Sequence, residues 1–326
     1  MKKLTALLLM TAVSLSLAAC SGGSGETADQ GAGDGGSQSA SSGAENSGDR
    51  PIKDEIVFAQ SSDLTTMNPY IGTQERAYSL TNHMYDTLLE FDSEMNMHNS
   101  LAESYEWLDD LTLQIKLREG VTFHNGDPLT AEDVIFTFEK RAERGSAYAN
   151  YIDVAGMEAQ DDLTVIVPFT SPHPSFIYQL TDPAFGIVPK NYFESVGEEG
   201  FAKDPIGSGP YKLKEYVTGD YYTLERYEDY WGEPAKTQYL TMRIVPEAGQ
   251  RTIMLETGEI DVAYEVPYVD AAKIQDNPDL QFLSTPSMKI VMFYVNTQSA
   301  TPLHDKRVRQ AIEYAIDKEG IVEAVC

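Results

Sequence analysis

Histidine is the first residue type to examine for chemistry, because its side chain can act as a base or a metal ligand near neutral pH. The chain contains five His residues, and no two of them form the H-x-x-x-H spacing of a helical metal site. A metal centre therefore has no support in the sequence, and we expect no cofactor. We interpret His124, which follows an apolar run and precedes Asn125-Gly126, as structural.

Three pairs of adjacent carboxylates are the next candidates for acid–base chemistry. They are Asp109-Asp110, Asp161-Asp162 and Glu198-Glu199. Catalysis by two carboxylates needs side chains that act on one substrate. Adjacent side chains instead point to opposite faces of a strand, or lie about 100° apart on a helix. We interpret the pairs as solvated turns, and the sequence predicts a protein that is not an enzyme.

A glycine-rich run, Gly207-Ser208-Gly209-Pro210-Tyr211, is the remaining candidate, because such loops can cradle phosphate. It lacks the Lys-Ser/Thr of a phosphate loop and the third glycine of a dinucleotide fingerprint. Pro210 also removes one N–H from any anion-binding nest. We therefore predict a close crossing between two elements at this run.

The N-terminal residues resemble a targeting segment. Lys2 and Lys3 precede an apolar stretch shorter than a membrane-spanning helix, which ends in Leu17-Ala18-Ala19-Cys20. This ending resembles a bacterial lipobox, which implies lipidation at Cys20; the alternative is an ordinary signal peptide with a chance Cys. Residues 21–50 include 9 Gly and 7 Ser, so we predict a flexible tether.

Charge and composition exclude several classes of protein. The 326 residues include 24 Lys and Arg against 51 Asp and Glu, a net charge of −27. A strongly acidic surface repels nucleic acid and anionic lipid, so binding to either through a basic patch is disfavoured. The 42% hydrophobic content is ample for a packed core, and two Cys cannot form a disulfide framework.

The elements that must position any site alternate irregularly between strands and helices. Residues 80–89 have apolar side chains at helical spacing, and Thr130 with Asp133 has the spacing of a capping box before a second helix. Further patterns predict helices over 249–256 and 308–316, and strands over 54–60, 111–117, 163–169, 221–227, 239–245, 260–264 and 289–296. The fold class is α/β, mixed α+β.

Four blocks of sequence resemble family 5, the peptide/nickel type, of the extracytoplasmic solute-binding proteins that serve ABC importers. They are Leu101–Trp107 continuing through Leu113–Val134, Pro205–Leu213 with Tyr230-Trp231-Gly232, Arg251–Ala263, and Val308–Asp317. The resemblance implies a type II periplasmic-binding-protein fold with two lobes. Because family members are longer, we expect a complete first lobe over 51–296, with an inserted subdomain at about 91–205, and a truncated second lobe over 297–326.

The family resemblance also implies a function. Members bind a solute between their lobes and deliver it to a permease, so we expect a monomeric, lipid-anchored protein that captures di- or oligopeptides outside the membrane. It would lie on the outer face of the bacterial cytoplasmic membrane or in the periplasmic space. A nickel chelate, an oligosaccharide or a signalling peptide is the alternative solute, and an extracytoplasmic hydrolase would be a third class.

The same resemblance places candidate ligand contacts on loops that face the cleft. Gly72, Thr73 and Gln74 match a loop where the family contacts ligand through backbone and hydroxyl groups; a plain strand–helix loop is the alternative. Tyr264 and Glu265 follow a predicted strand and should emerge at the cleft. Tyr294 belongs to the predicted hinge strand at 289–296, where we expect Met292 in the core.

Overall fold

The computed structural model describes residues 52–64, 66–71, 75–284, 292, 294–297 and 301–325. Its strands are β1 (Glu55–Gln60), β2 (Leu89–Phe91), β3 (Met97–Asn99), β4 (Ala102–Asp109), β5 (Thr112–Leu117), β6 (Glu158–Asp161), β7 (Thr164–Pro168), β8 (Tyr211–Val217), β9 (Tyr221–Arg226), β10 (Tyr239–Ile244) and β11 (Val262–Ala263). Its α-helices are α1 (Glu75–Met84), α2 (Ala131–Glu143), α3 (Lys190–Lys203), α4 (Ala248–Thr257), α5 (Tyr268–Gln275), α6 (Lys306–Ala315) and α7 (Lys318–Val325). Short 3₁₀ helices span 147–150, 154–156, 174–181, 183–185 and 302–304.

A five-stranded sheet in the order β11-β1-β10-β9-β8 forms the larger layer. Strand β1 runs parallel to β10, with Glu55 opposite Tyr239 and Gln60 opposite Ile244, and parallel to β11 on its other side. Strands β8 and β9 are antiparallel additions. The carboxyl ends of β1, β10 and β11 therefore meet at one edge of the sheet.

Alternate residues of this sheet face a core shared with α1 and α3. Leu240 and Met242 of β10 are buried against Leu80 and Met84 of α1 and against Phe201 of α3. Residues at the intervening positions of β1 face α4 in a smaller cluster. The period of two along the strands thus assigns each side chain to one face or the other.

A second sheet, β4-β5-β7-β6, is antiparallel throughout and has its own core. Strand β5 alternates as the sequence predicts, with Leu113, Ile115 and Leu117 buried and the intervening side chains less so. Its core continues into an aromatic cluster in which the Phe138 ring lies 5.1 Å from Phe185 and 5.8 Å from Tyr148, between ring centroids.

The predicted cap of α2 is confirmed. The Asp133 carboxylate accepts from the Thr130 N–H at 2.8 Å and from the Thr130 hydroxyl at 2.9 Å. Its other oxygen accepts from the Lys190 N–H at 2.8 Å, so one carboxylate joins the beginnings of α2 and α3. Burial raises the pKa of Asp133, and the backbone donors oppose that rise. The cap is therefore also a tertiary contact between two helices.

The predicted close crossing at the glycine-rich run is also confirmed. The Gly209 N–H donates to the Met84 carbonyl at 2.9 Å, at the end of α1. A Cβ on Gly207 would lie 1.9 Å from the Met84 carbonyl oxygen, and one on Gly209 would lie 2.6 Å from the Met84 carbonyl carbon. Only glycine fits at either position, because the two backbones are in contact.

Two predicted elements differ from the structure. The helix predicted over 80–89 ends at Met84. The chain becomes irregular there because the Leu88 carbonyl accepts from Ser100 at 3.1 Å and from Ala102 at 3.0 Å, after which Leu89 begins β2. The strand predicted over 289–296 lies partly outside the described residues, and the four residues described there (292 and 294–296) form no strand.

Patterning alone missed four long elements that the structure contains: β4, β8, α5 and α3. The last is kinked at Gly197, whose φ of 70° interrupts the helix. Within the described ranges, no helix combines the length and the apolar character that a membrane crossing requires.

The crossing at Gly207 gives a stability test. Gly207→Ala should lower the free energy of unfolding by at least about 2 kcal/mol, because the new methyl group overpacks against backbone that has no rotamer to change. Thermal or denaturant unfolding measures the loss. Gly249→Ala is the matched control, since a Cβ there meets nothing within 4 Å and Ala is the better helix former. An equal effect of the two substitutions would contradict the crossing.

Candidate functional site

The carboxyl edge of the five-stranded sheet is the candidate site. Ligands of open α/β sheets bind in the crevice outside the carboxyl ends of parallel strands. Here Ser61 follows β1, Val245 follows β10 and Tyr264 follows β11. Because β1 lies between β10 and β11, these three strand ends are adjacent although they are far apart in the sequence.

The loop after β11 presents two polar side chains at this edge. The Tyr264 N–H continues the sheet by donating to the Ala59 carbonyl at 3.1 Å, and the Tyr264 ring stacks on Phe58 with centroids 6.2 Å apart. Glu265 has a φ of 54°, in the left-handed region that non-glycine residues rarely adopt. The Ser61 hydroxyl donates to the Glu265 carboxylate at 2.6 Å and links the ends of β1 and β11.

Arg251 of α4 holds the backbone of this loop. The side chain is 2% exposed, and its guanidinium donates to four carbonyl oxygens. Nε reaches Tyr264 at 3.0 Å and Nη2 reaches Glu265 at 2.9 Å, while Nη1 contacts Val245 at 2.8 Å and Pro246 at 3.0 Å. A buried cation is tolerated when its donors are satisfied, and these carbonyls satisfy it.

Contacts on both sides of this loop hold β11 and the next helix. The Asp261 carboxylate accepts from the Val57 N–H at 2.9 Å and joins β11 to β1. On the other side, the Thr252 hydroxyl donates to Asp270 of α5 at 3.1 Å. The segment from α4 through the loop to α5 is therefore fastened at several points.

The structure brings together only some of the predicted ligand residues. Tyr264 and Glu265 lie at the sheet edge directly after β11, and the Tyr264 side chain is 47% exposed. Gly72, Thr73, Gln74 and the lipidation candidate Cys20 lie outside the described residues.

The residues described on the predicted hinge strand, 292 and 294–296, are exposed. Tyr294 is 88% exposed, and no contact described for it reaches Tyr264 or Glu265. Met292 is 49% exposed, which contradicts the expectation of a core side chain. Because residues 292 and 294–296 form no strand, no strand pattern alternates their side chains between a buried face and an exposed face.

Sequence reasoning missed Ser61 and Arg251. A signal for Arg251 was present, because a cation in the first turn of a helix opposes the helix dipole and needs a partner elsewhere. Ser61 gave no such signal, since its role depends on β11 pairing with β1. Both residues become part of the site only through strand order.

A buried carboxylate, Asp86, is a second candidate, because perturbed carboxylates often mark functional sites. It follows α1 and is 8% exposed. It accepts from the Ser208 hydroxyl at 3.0 Å, the Tyr230 hydroxyl at 3.1 Å and the Trp231 Nε1–H at 2.8 Å. The carboxylate therefore joins the glycine-rich run to the Tyr230-Trp231 turn.

The surroundings of Asp86 favour a structural role. Burial raises the pKa of Asp86 to about 6 despite the three donors, and the charge of Glu90 adds to the rise. Arg118 lies over the Trp231 ring, with its guanidinium carbon 4.7 Å from the ring centroid. A carboxylate enclosed by its own donors holds two segments together and offers little access to a solute.

His124 completes the same junction, as predicted for a structural histidine. Its Nδ1 accepts from the Gly207 N–H at 3.2 Å, so its Nε2 donates to the Gly209 carbonyl at 2.9 Å. Burial lowers the pKa of His124 to about 4, so the imidazole is neutral at pH 7. In the part of the chain that is described, no cluster of three or more His, Cys, Asp or Glu side chains could hold a metal ion.

A shallow concavity of about 450 Å³ lies on the open face of the five-stranded sheet. Its polar side chains already contact one another: Thr241 donates to Glu55 at 2.6 Å and bonds to Thr223 at 2.9 Å. The Lys214 ammonium lies 3.8 Å from the centroid of the Tyr239 ring. We interpret this surface as a cross-strand ladder of paired side chains.

Comparison with known proteins gives a consistent likeness. Residues 96–326 match the model of bacterial extracellular solute-binding proteins, family 5 Middle. The chain is 32% identical over 277 residues to the glutathione-binding protein GsiB of Escherichia coli O1:K1, covering 82% of this chain and 53% of the relative. The chain thus spans about half the length of the curated relatives that it matches.

Solved structures agree with the sequence comparison. DppA of Helicobacter pylori, in complex with the peptide STSA, has a TM-score of 0.64 and 26% identity, over 70% of this chain and 49% of that one. A nickel ABC transporter protein of Bacillus halodurans has a TM-score of 0.61 and 29% identity, over 69% and 46%. These likenesses confirm the predicted mixed α/β fold of the periplasmic-binding-protein type.

The pKa of Asp86 gives a test of the junction. Its folded-state pKa of about 6 lies above the ordinary value of 3.8, so the native state binds the proton more tightly than the unfolded state. The contribution of Asp86 to stability therefore grows as pH falls from about 7 to about 4, by up to roughly 3 kcal/mol. The contribution of buried His124 to stability changes in the opposite direction, because its pKa is lowered. The quantity to measure is therefore the difference in unfolding free energy between the wild type and a variant of Asp86.

Asp86→Asn keeps the shape of the side chain and removes its titration. The unfolding free energy of the wild type, minus that of Asp86→Asn, should rise between pH 7 and pH 4.5 in chemical denaturation. His124 and the surface carboxylates cancel in this difference. A difference that is constant with pH would show that the pKa of Asp86 is not raised.

Proposed function

Because this chain belongs to family 5 of the bacterial extracellular solute-binding proteins, we propose that the protein captures peptides outside the cytoplasmic membrane and delivers them to the permease of an ABC importer. The observation that carries the proposal is the carboxyl edge of the five-stranded sheet, where Tyr264 and Glu265 stand beside the end of β1. Tyrosine suits a peptide site because it offers a flat apolar surface and a polar tip at low entropic cost.

Relatives support peptides as the class of solute. GsiB is named for glutathione, which is a tripeptide, and DppA of H. pylori was solved with a tetrapeptide. The nickel transporter protein is as similar in fold, so a nickel chelate is the competing solute. The site residues proposed for this chain are Tyr264 and Glu265, with Gly72, Thr73, Gln74 and Tyr294 as further contacts.

The proposed mechanism is reversible capture without covalent chemistry. A solute-binding protein that moves between open and closed arrangements is shifted toward the closed one by a ligand that contacts both sides of the cleft. Affinity then depends on how well the contacts from each side are positioned in advance. The Tyr264–Glu265 loop, which Ser61 and Arg251 hold in place, would supply the contacts from one side of the cleft.

We also propose that the protein is held at the outer face of the cytoplasmic membrane by lipid on Cys20. The tether at 21–50 would leave the solute-binding part free to reach a permease. Its composition supports this role, because Gly- and Ser-rich chains of this length behave as flexible coils with an r.m.s. reach of roughly 30 Å. Two or more acyl chains would be needed for stable anchoring.

Peptide binding can be tested by ligand-observed NMR, which detects dissociation constants from micromolar to tens of millimolar. We expect a pool of di- to pentapeptides to bind saturably. Tyr264→Ala should weaken binding about tenfold, which corresponds to ~1.4 kcal/mol, because it removes an aromatic contact and a hydrogen-bonding hydroxyl. Tyr178→Ala is the matched control, since Tyr178 is 57% exposed on a 3₁₀ helix remote in sequence from the edge.

Separate titrations with glutathione and with a nickel chelate distinguish the solutes. If only the nickel chelate bound saturably, the solute would be a chelated metal and the proposal of peptides would be wrong. Equal losses of affinity in Tyr264→Ala and Tyr178→Ala would remove the sheet edge from the site.

Lipidation is tested in cells that express the full chain. Radiolabelled palmitate should be incorporated into the wild type and sediment with membranes. Cys20→Ala should abolish incorporation and leave the chain unprocessed or released. Absence of label from the wild type would rule out the lipobox and leave an ordinary signal peptide as the interpretation.

A further inference from the structure

The guanidinium of Arg251 connects two strand ends that are not neighbours in the sheet. Its acceptors at Val245 and Pro246 follow β10, and its acceptors at Tyr264 and Glu265 follow β11. Strand β1 separates β10 from β11 in the sheet order. The guanidinium therefore lies at the end of β1, at the edge where the solute is proposed to bind.

The loop that Arg251 holds is in a conformation that it would not adopt unaided. Glu265 has a φ of 54°, and the other described non-glycine residue with a positive φ, Met95, lies in the tight β2–β3 turn. Strained backbone persists only where its surroundings over-determine it, and such strain clusters at ligand sites. At Glu265 the surroundings include the Arg251 Nη2 bond to the carbonyl and the Ser61 bond to the carboxylate.

The backbone and the ring of Tyr264 are held by different residues. Arg251 Nε binds its carbonyl at 3.0 Å, while Phe58 stacks on its ring. A planar fork with donors in fixed directions suits several carbonyls at once, which a lysine ammonium on a flexible stem does not. An apolar side chain would fill the same volume and leave four carbonyls without these donors.

We propose that Arg251 is a positioning residue of the ligand site: it clamps the Tyr264–Glu265 loop over the end of β1 and so sets where these side chains meet the solute. The inference rests on the proposed function, because it assigns a role in solute binding. It adds to that proposal a residue that touches no solute and acts through the loop.

The test compares Arg251→Lys with Arg243→Lys in the full chain. Arg243→Lys is the matched control: it is the same substitution on β10, at an arginine whose 2.7 Å ion pair with Glu259 is exposed. We expect Arg251→Lys to weaken binding of the peptide pool at least fivefold while the chain still unfolds in one cooperative transition. Arg243→Lys should change the dissociation constant less than twofold. Equal binding by Arg251→Lys and the wild type would overturn the inference.

A double variant separates positioning from a general structural effect. If Arg251 acts through the loop, Arg251→Lys should weaken binding by a smaller factor in a Tyr264→Ala background than in the wild type, because one of the two side chains that it positions is already absent. If the two substitutions together weakened binding by the product of their separate factors, Arg251 would influence binding by another route, and the inference would be overturned. Absence of peptide binding in the wild type would overturn the proposed function, and with it the role of Arg251 in binding.

Hydrogen exchange in the wild type keeps the proposal testable if Arg251→Lys does not fold. The Nε–H of Arg251 should exchange with solvent at least tenfold more slowly than the Nε–H of Arg243, because only the former is buried and bonded to a carbonyl. Equal exchange rates would show that the clamp is open in solution and would overturn the inference.

Discussion

The parallel pairing of β1 with β10 and β11 is the constraint on which the rest of the structure depends. Glu55 pairs with Tyr239, so residues almost two hundred positions apart must meet before β1 has both its neighbours. Such long-range pairing carries a loop-closure cost that local helices do not. It also fixes the candidate site, because only parallel strands bring three carboxyl ends to one edge.

Buried polar groups then hold the intervening segments in place. Asp133 joins the beginnings of α2 and α3, and Asp86 joins the glycine-rich run to Trp231. Arg251 joins the ends of β10 and β11. Each is a charged side chain whose burial would be costly without its donors or acceptors. Each therefore stabilises the arrangement of the chain that supplies those partners relative to arrangements that do not.

Solute capture, as proposed, would use the same contacts for a different purpose. A loop held before the ligand arrives loses less conformational entropy on binding than one that must be ordered. The Tyr264–Glu265 loop is held by Arg251 from one side and by Ser61 from the other. The acidic composition adds a general constraint, since it disfavours polyanions as partners.

The sequence by itself determined the elements whose signals are local. The α2 cap at Thr130, the alternating strand β5, the crossing at Gly207 and the family were all predicted from short runs of residues. Only the tertiary structure decided that the helix predicted to Leu89 ends at Met84, and that Arg251 and Ser61 belong to the sheet edge. Capping and alternation depend on neighbours within a few residues, whereas these outcomes depend on backbone partners that only strand order brings into contact.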